Sequence, residues 1–399
     1  MSLKRDLLRL YFWNEYSRKI NDKKPDLYIQ EKKSMKYGLL VTSPVSDYKN
    51  IGDYVQSLAA LQFMPRVDNY VEKEKVSSEI AADEPVKTIM NAWYMWNPQN
   101  WPPNDQIEPL LTSVHMSPLT ADEMVAGRKK NYLIQHGPIG CRDLATLAFL
   151  ESKNIPAYFS GCLTLTLGRR YKSNHKRSGL VFVDPYISPL RDKLEGKFVY
   201  YFQNIIKSIS YFFKAPLTIV RLSKKKYFHG RFFFMKYYNA SMFYNSYRSK
   251  FAKEALLSAT YLSHMVPVKD GETQENLLST SERLINIYAK AAIVVTSRIH
   301  CGLPCLGLET PVIFILNDKM NSKKNLFNAP GRFDGILNFF RVMNYSTDEL
   351  TTNDDTLVGL GEINQDSVFR NKDEHIEYRD KLIAQCVNFM NDKDIYKKS

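Results

Sequence analysis

The feature that most constrains the fold is a repeated order of short apolar runs and helical segments, joined by polar turns. Near the N-terminus the run Lys36–Thr42 is followed by a Gly-containing turn and by apolar residues at helical spacing. Toward the C-terminus the runs Ala291–Val295 and Pro311–Leu316 flank a helical segment, Ile299–Leu308. Short continuous apolar runs are typical of strands buried on both faces of a parallel sheet. The sequence therefore predicts an α/β protein.

Other segments extend this pattern. Further strands are predicted at Lys87–Trp96, Asn131–Gln135, Ile155–Phe159 and Leu180–Val183. Further helices are predicted at Arg142–Ser152, at Ser281–Lys290 with Ser281 as a possible N-cap, and near Glu374–Asn391. Alternating strands and helices in two groups predict two Rossmann-like domains with mainly parallel sheets and a cleft between them.

The length of the chain also favours two domains. A chain of 399 residues is long for a single hydrophobic core. We predict an N-terminal Rossmann-like domain over 36–175 and a C-terminal one over 176–370. A basic lead-in occupies 1–35, and a final helical segment over 371–399 could pack back on the first domain.

The net charge and the cysteine content limit which binding partners and which cellular compartment we expect. The chain has 55 Lys and Arg residues against 42 Asp and Glu, a formal charge of +13, which attracts nucleic acid, an anionic membrane surface or a phosphorylated substrate alike. Five scattered cysteines imply no disulfide framework and fit a reducing cytoplasm. The N-terminal stretch does not read as a signal peptide, and no run approaches the ~20 apolar residues of a spanning helix. We expect a cytoplasmic protein, with contact to the inner face of the membrane as an option.

The turn after the run Ala291–Val295 carries the first candidate site residues. Ser297 and Arg298 follow the strand, and His300 stands two residues further on. Ligands bind at the carboxyl ends of parallel strands, and a helix N-terminus there favours a phosphate or carboxylate. Arg298 can grip such a group with two hydrogen bonds, and His300 can move a proton. A surface arginine and a packed histidine remain an equal alternative.

Two similar turns lie in the first half of the chain. Asn50, Gly52 and Asp53 form a tight turn into a helix, where Asp53 is either an acid–base group or a helix cap. Arg142 stands at a predicted helix start, where a cation is unfavourable unless an anion is bound. Pairing of Arg142 with Asp143 or another acid is the alternative explanation.

Taken together, these motifs resemble the polysaccharide pyruvyl transferase family. Four motifs carry the resemblance, in this order: Asn50-x-Gly52-Asp53, Gly140-x-Arg142-Asp143, the run Ser160–Leu167, and Ser297-Arg298-x-His300-x-Gly302-x-Pro304. The resemblance spans 36–316 and is thin between 186 and 255.

The resemblance implies an arrangement like the GT-B glycosyltransferases. It implies transfer of pyruvyl from phosphoenolpyruvate, as co-substrate and without a further cofactor, onto a sugar of a bacterial surface polysaccharide precursor, such as a lipid-linked oligosaccharide. The product would be a cyclic pyruvate ketal, with release of phosphate. Arg298 and His300 would meet the donor, and Arg142 would bind its acidic groups from the other domain.

The same motifs place Asn50, Gly52 and Ser297 among the substrate-binding residues. His300 and Asp53 would be the catalytic acid and base, without an assignment of which is the acid and which is the base. No set of metal ligands is predicted. Two other functions stay open: a GT-B-like glycosyltransferase that uses a nucleotide sugar, and a non-catalytic membrane-surface component of polysaccharide assembly.

The region 221–250 has eight Lys or Arg residues, ten aromatic residues and no acid. This composition would suit the binding of single-stranded nucleic acid. That function is disfavoured because no ordered RNA-binding signature is present. A face lying on an anionic membrane fits better, and an aromatic-rich insertion packed on its own domain fits equally well. The absence of phosphate-binding glycine motifs disfavours ATP hydrolysis and dinucleotide redox chemistry.

Overall fold

Short apolar runs form the strands of the first half of the chain. The structure, a computed structural model, describes residues 35–43, 47–79, 84–187, 198–228, 234–317 and 331–391. The first strands are β1 (Lys36–Val41), β2 (Tyr48–Asn50), β3 (Asn69–Glu72), β4 (Val86–Ile89), β5 (Trp93–Tyr94), β6 (Ile107–Leu110), β7 (His115–Met116), β8 (Ile139–Cys141) and β9 (Ala157–Phe159). A parallel sheet has the order β3-β1-β4-β6, while β5 pairs with β7 and β8 with β9.

The second half builds a larger sheet. Its strands are β10 (Leu180–Val183), β11 (Thr260–Leu262), β12 (Met265–Pro267), β13 (Ile293–Thr296), β14 (Val312–Asn317), β15 (Arg341–Ser346) and β16 (Glu349–Thr351). The sheet order is β11-β10-β13-β14-β15-β16, and only the β15–β16 pair is antiparallel within it. The remaining strand, β12, pairs antiparallel with β2 from the first half. An α/β protein with mainly parallel sheets is therefore confirmed.

Helices connect most of these strands. In the first half they are α1 (Ile51–Leu61), α2 (Ala121–Met124), α3 (Arg128–Gln135), α4 (Leu144–Ser152) and α5 (Gly168–Tyr171). In the second half they are α6 (Phe198–Lys214), α7 (Pro216–Ser223), α8 (Met235–Tyr247), α9 (Lys253–Ser258), α10 (Gln274–Lys290), α11 (Ile299–Gly307), α12 (Asp355–Gly359) and α13 (Ile376–Asn391). Among the residues described, no helix has the length and apolarity that crossing a membrane requires.

Two local predictions are wrong. The predicted strand Asn131–Gln135 lies inside α3, because so short an apolar run cannot be told from a helix by periodicity; Leu133 is its one buried residue there. Ser281 is not an N-cap. The α10 helix starts earlier, behind a capping box between Thr273 and Asn276, and the Ser281 hydroxyl donates to the Leu277 carbonyl within the helix.

Most of the described aromatic residues of the 221–250 region face the core. Phe228, Phe243 and Tyr247 are buried with Phe182 of β10, and the Phe182 and Phe243 rings lie 5.4 Å apart, edge to face. This packing fits the alternative of an insertion that packs on its own sheet. These three rings are therefore not available to a membrane surface.

The core joins elements from the whole chain. One buried cluster includes residues of β1, α1, β13, α11 and α13. The C-terminal helix α13 contacts the first half directly: the Lys87 ammonium donates to the Phe389 carbonyl at 2.8 Å, and the Tyr158 hydroxyl donates to Gln385 Oε1 at 2.8 Å. The domain boundaries at 36–175 and 176–370 stay predictions.

Candidate active site

The register of β10 and β13 places the Ser297–Arg298 turn beside Asp184. Val183 pairs with Thr296, so the next residues outward on both strands are neighbours. Arg298 Nε donates to Asp184 Oδ2 at 2.9 Å, and the Ser297 hydroxyl donates to the Asp184 carbonyl at 2.6 Å. The arginine at this strand end is therefore held by a carboxylate, an interaction that sequence reasoning missed.

Thr296 and Ser297 precede helix α11, and neither is its N-cap residue. Arg298 is the N-cap residue of α11, and its own side chain does not cap the helix. Thr296 Oγ1 instead accepts from the Arg298 backbone N–H at 3.0 Å and donates to the Val183 carbonyl at 2.8 Å. Both hydroxyls therefore fix the turn to β10, which leaves the helix N-terminus open.

His300 lies in the first turn of α11 and faces Asp53 of α1. Its Nδ1 is 4.0 Å from Asp53 Oδ1, and its buried Nε2 has no hydrogen-bond partner among the described residues. Burial holds the pKa of His300 well below its ordinary value. Four nearby cationic or titratable groups lower it further: Arg142, His264, Arg332 and Lys73. The imidazole is therefore neutral and can accept a proton.

The turn before α1 is built by Asn50 and Gly52. Asn50 is the N-cap residue, and its side-chain oxygen accepts from the Gly52 N–H at 3.1 Å. The explanation of Asp53 as the cap is therefore wrong. A Cβ at Gly52 would stand 2.9 Å from His264 Nδ1 and 3.2 Å from His300 Cβ, so only glycine fits between the two histidines.

Asp53 lies in a field of positive charge. Burial raises the pKa of its carboxyl, while the charges of Lys73, Arg142 and Arg298 act in the opposite direction. The net result is a raised pKa, so Asp53 holds a proton more tightly than an ordinary aspartate does. A carboxyl of this kind suits proton donation.

Arg142 follows β8 and is almost fully buried, at 3% exposure. Its Nε lies 3.6 Å from Asp143 Oδ2, and it has no hydrogen-bond partner in the described part of the chain. Asp143 is engaged elsewhere, because it caps α4 through Thr146 and contacts His115 Nδ1 at 2.6 Å. Asp143 therefore leaves the Arg142 Nε without a hydrogen bond, and a bound anion would accept one from it.

Arg332 is a third arginine of the site, and sequence reasoning did not identify it. The turn that contains it docks on α4, where the Leu144 N–H donates to the Asp334 carbonyl at 3.0 Å. Burial, together with the charges of Arg142 and Arg298, lowers the pKa of Arg332 to about 10. The buried Arg332 Nε also lacks a hydrogen-bond partner among the residues described. No local motif marks this residue; only the glycines at 331 and 335 hint at a tight turn.

His264 connects both halves of the site and was likewise missed. Its carbonyl accepts from the Ile51 N–H at 2.8 Å, and its own N–H donates to Asp184 Oδ2 at 3.0 Å. The buried ring lies 2.8 Å from the Tyr288 hydroxyl. The pKa of His264 is lowered to about 4, mainly by burial; the Asp184 charge opposes this shift and the Arg298 charge contributes to it. His264 therefore stays neutral, and its backbone hydrogen bonds connect the start of α1 with Asp184.

Comparison with known proteins gives one match. The family model described as polysaccharide pyruvyl transferase matches residues 50–319, more than half of the chain. The matched range contains the predicted site residues Asn50, Gly52, Asp53, Arg142, Ser297, Arg298 and His300, and ends before Arg332. No curated protein and no solved structure matches the chain.

Proposed function

Because the chain belongs to the polysaccharide pyruvyl transferase family, we propose that it moves the pyruvyl group of phosphoenolpyruvate onto a sugar of a bacterial surface polysaccharide precursor. Family membership makes it a transferase enzyme. The donor, the acceptor and the product are our proposal. The observation that carries it is the group of three arginines, Arg142, Arg298 and Arg332, around the pair His300 and Asp53.

The charges of the donor match this arrangement. Phosphoenolpyruvate carries a carboxylate and a phosphate, and guanidinium groups bind both with parallel hydrogen bonds. Arg142 and Arg332 each bury an Nε without a hydrogen-bond partner among the described residues, so an anion would relieve an energetic cost already present. The open N-terminus of α11 supplies backbone N–H groups for the same purpose.

The two titratable groups suit opposite proton transfers. We assign proton donation to Asp53, whose pKa is raised, and proton acceptance to His300, which is neutral. Asp53 would protonate the methylene carbon, which leaves a cationic centre at the enol carbon. A sugar hydroxyl would attack this carbon and lose its proton to His300.

Ring closure completes the reaction. The bond between the former enol carbon and the phosphate oxygen breaks, and phosphate leaves. A second hydroxyl of the same sugar then bonds to that carbon, and its proton neutralises the departing phosphate. His300 Nδ1 and Asp53 Oδ1 are 4.0 Å apart, so an approach of about 1 Å would bring them to hydrogen-bond distance, where the first proton can return and restore both groups.

The proposal includes the domain arrangement. We propose that the two parallel sheets belong to two Rossmann-like domains in a GT-B-like arrangement, with the donor in the cleft between them. The support is that Arg142 follows a strand of the first half and Arg298 follows a strand of the second. The acceptor is proposed to be lipid-linked, which would place the reaction at the inner face of the cytoplasmic membrane.

Mass spectrometry of the acceptor tests the reaction class. We expect lipid-linked oligosaccharides incubated with the enzyme and phosphoenolpyruvate to gain the mass of pyruvate less water, with one phosphate released per product. His300→Ala should abolish both signals and keep the thermal unfolding of the wild type. A gain of a hexose from a nucleotide sugar, without need for phosphoenolpyruvate, would establish the glycosyltransferase alternative instead. Near-normal product from His300→Ala would remove His300 from the mechanism.

A further inference from the structure

An apolar stripe runs along the exposed side of α6. Phe202, Ile206, Ile209 and Phe213 are 57%, 54%, 52% and 74% exposed. At 100° per residue, these four positions lie within about 60° of one another around the helix. Leu217 in the first turn of α7, 79% exposed, continues the apolar surface. A continuous apolar stripe facing water marks an interaction surface.

The helix is fixed in this orientation by its neighbour α8. Ser208 is buried, and the Phe212 ring contacts the Tyr237 ring, with centroids 6.2 Å apart. Ile205, Phe212 and Tyr238 line the groove between the two helices. Because the packed side of α6 is already occupied by α8, the stripe faces outward and has to be covered by something else.

The segment of sequence that carries the stripe has charges of a single sign. Residues 196–253 contain twelve Lys or Arg and no Asp or Glu. Lys207 and Lys214 are exposed and lie about 110–130° around α6 from the centre of the stripe, where long side chains can reach a headgroup layer. Arg221 and Lys224 add exposed cations on and after α7. An apolar stripe edged by cations is typical of helices that lie in the interface of an anionic bilayer.

The surface also leads to the active site. Tyr227 follows α7 closely, and burial raises its pKa, with the Asp184 carboxylate adding to the effect and Arg298 opposing it. Tyr227 is therefore within electrostatic reach of the pair that positions Arg298. Along the chain, the segment after α7 therefore connects α6 and α7 to this pair.

We propose that α6 and the start of α7 dock this enzyme on an anionic membrane, with Phe202, Ile206, Ile209 and Phe213 inserted among the lipids. A second copy of the chain is the less suitable occupant. A contact between two identical copies through α6 would bring two cationic segments together, and like charges across an interface are unfavourable. The docking goes beyond the proposed reaction, because it is a binding property that does not require turnover.

Flotation of the full-length protein with vesicles tests the proposal. We expect binding to phosphatidylcholine vesicles that contain phosphatidylglycerol, weak binding to pure phosphatidylcholine, and loss of binding at high salt. The double substitution Ile209→Asp/Phe213→Asp should reduce binding more than tenfold. The matched control is Val358→Asp/Val368→Asp, because these apolar residues are 57% and 84% exposed on other segments. The control should bind like the wild type.

A charge variant gives an independent measurement that does not alter the apolar stripe. Lys207→Gln/Lys214→Gln should weaken binding about 25-fold, at about fivefold per cation. The control Lys290→Gln/Lys381→Gln removes two exposed cations from α10 and α13 and should change nothing. Binding that survives both α6 variants would overturn the proposal, since another part of the chain would be responsible. A dimer that Ile209→Asp/Phe213→Asp dissociates, with no vesicle binding by the wild type, would overturn it in favour of self-association.

Discussion

The carboxylate of Asp184 sets the orientation of Arg298, so the substitution Asp184→Asn should impair catalysis through positioning. Asp184 Oδ2 accepts two hydrogen bonds, from Arg298 Nε at 2.9 Å and from the His264 N–H at 3.0 Å. Asparagine retains an oxygen for these donors and removes the charge. We therefore expect a folded variant whose arginine is no longer held in one orientation.

The magnitude follows from the two bonds. A hydrogen bond to a charged group contributes about 1.5–3 kcal/mol and a neutral one about 1 kcal/mol. The Arg298 side chain is 39% exposed, so solvent screens its share and the estimate for that bond is reduced. We expect the free energy of unfolding to fall by about 1–2 kcal/mol. Misplacement of a positioning group by about 1 Å costs up to about a hundredfold in rate, so kcat should fall between about ten- and a hundredfold.

The loss should appear in kcat and not in KM for the donor. Removing a negative charge leaves the site more positive, and Arg142 and Arg332 still attract the anion. Steady-state phosphate release at varied phosphoenolpyruvate separates the two constants.

Asp354→Asn is the matched control for this prediction. The Asp354 side chain is 12% exposed, as is that of Asp184, and it accepts two bonds from Arg341 Nη1 at 2.9 and 3.0 Å. It also caps α12, so its substitution should cost similar stability. Its kinetics should match the wild type. A kcat of Asp184→Asn within twofold of the wild type, or an equal loss in Asp354→Asn, would refute the positioning role.

Two further predictions concern stability. A Cβ at Gly307 would stand 2.1 Å from the Leu165 carbonyl oxygen. Gly307→Ala should therefore lower the free energy of unfolding, measured by urea titration, by on the order of 3 kcal/mol. Gly359 has open space around it among the described residues, so Gly359→Ala should change this free energy by less than about 1 kcal/mol. The pKa of His264 is about 4 in the fold against an ordinary 6.5. The unfolded chain therefore binds more protons between these values, and stability present above pH 6.5 should be lost toward pH 4, by on the order of 3 kcal/mol for this group. Urea titrations across this range should show the loss in the wild type, and a His264→Gln variant with the same pH slope would contradict the assignment.

The sequence was sufficient to predict the strands whose apolar runs are continuous and buried. The predicted strands near β1, β10, β13 and β14 are confirmed, because burial on both faces demands such runs whatever the connections. The prediction failed at α3, where a short apolar run gives no periodicity to separate helix from strand. Helix α10 begins before its predicted start, because its first turns are polar and carry little apolar signal.

The candidate site was likewise predictable only in part from the sequence. Asp53, Arg142, Arg298 and His300 could be proposed from sequence because each follows a predicted strand or turn into a helix, and that order is local. The structure brings Asp53 and His300 to 4.0 Å of one another and sets both within the field of Arg142. The bond from Arg298 to Asp184 depends on the register of β10 against β13, which pairs residues more than a hundred positions apart. No local pattern encodes that register.

Arg332 lies outside the range matched by the family, so its role in donor binding has to be tested directly. Arg332 is half-buried near Arg142 and Arg298, and its buried Nε has no hydrogen-bond partner among the described residues. Arg332→Gln removes this repulsion together with a cation–π contact to Phe333, at 4.5 Å from the ring centroid. These changes act in opposite directions, and the contact is worth about 0.5–1 kcal/mol, so the free energy of unfolding should stay within about 1 kcal/mol of the wild type.

Donor binding by Arg332→Gln should change much more than stability. Loss of one charge-assisted hydrogen bond, worth about 1.5–3 kcal/mol, should raise KM for phosphoenolpyruvate about 10- to 100-fold and remove most of the thermal stabilisation that the donor gives the wild type. Arg283→Gln removes an exposed cation from α10 and should change neither quantity. A purely structural arginine would instead lower the stability of the unliganded protein and leave KM unchanged. That pattern in Arg332→Gln would restrict the donor site to Arg142 and Arg298, the two arginines within the matched motifs.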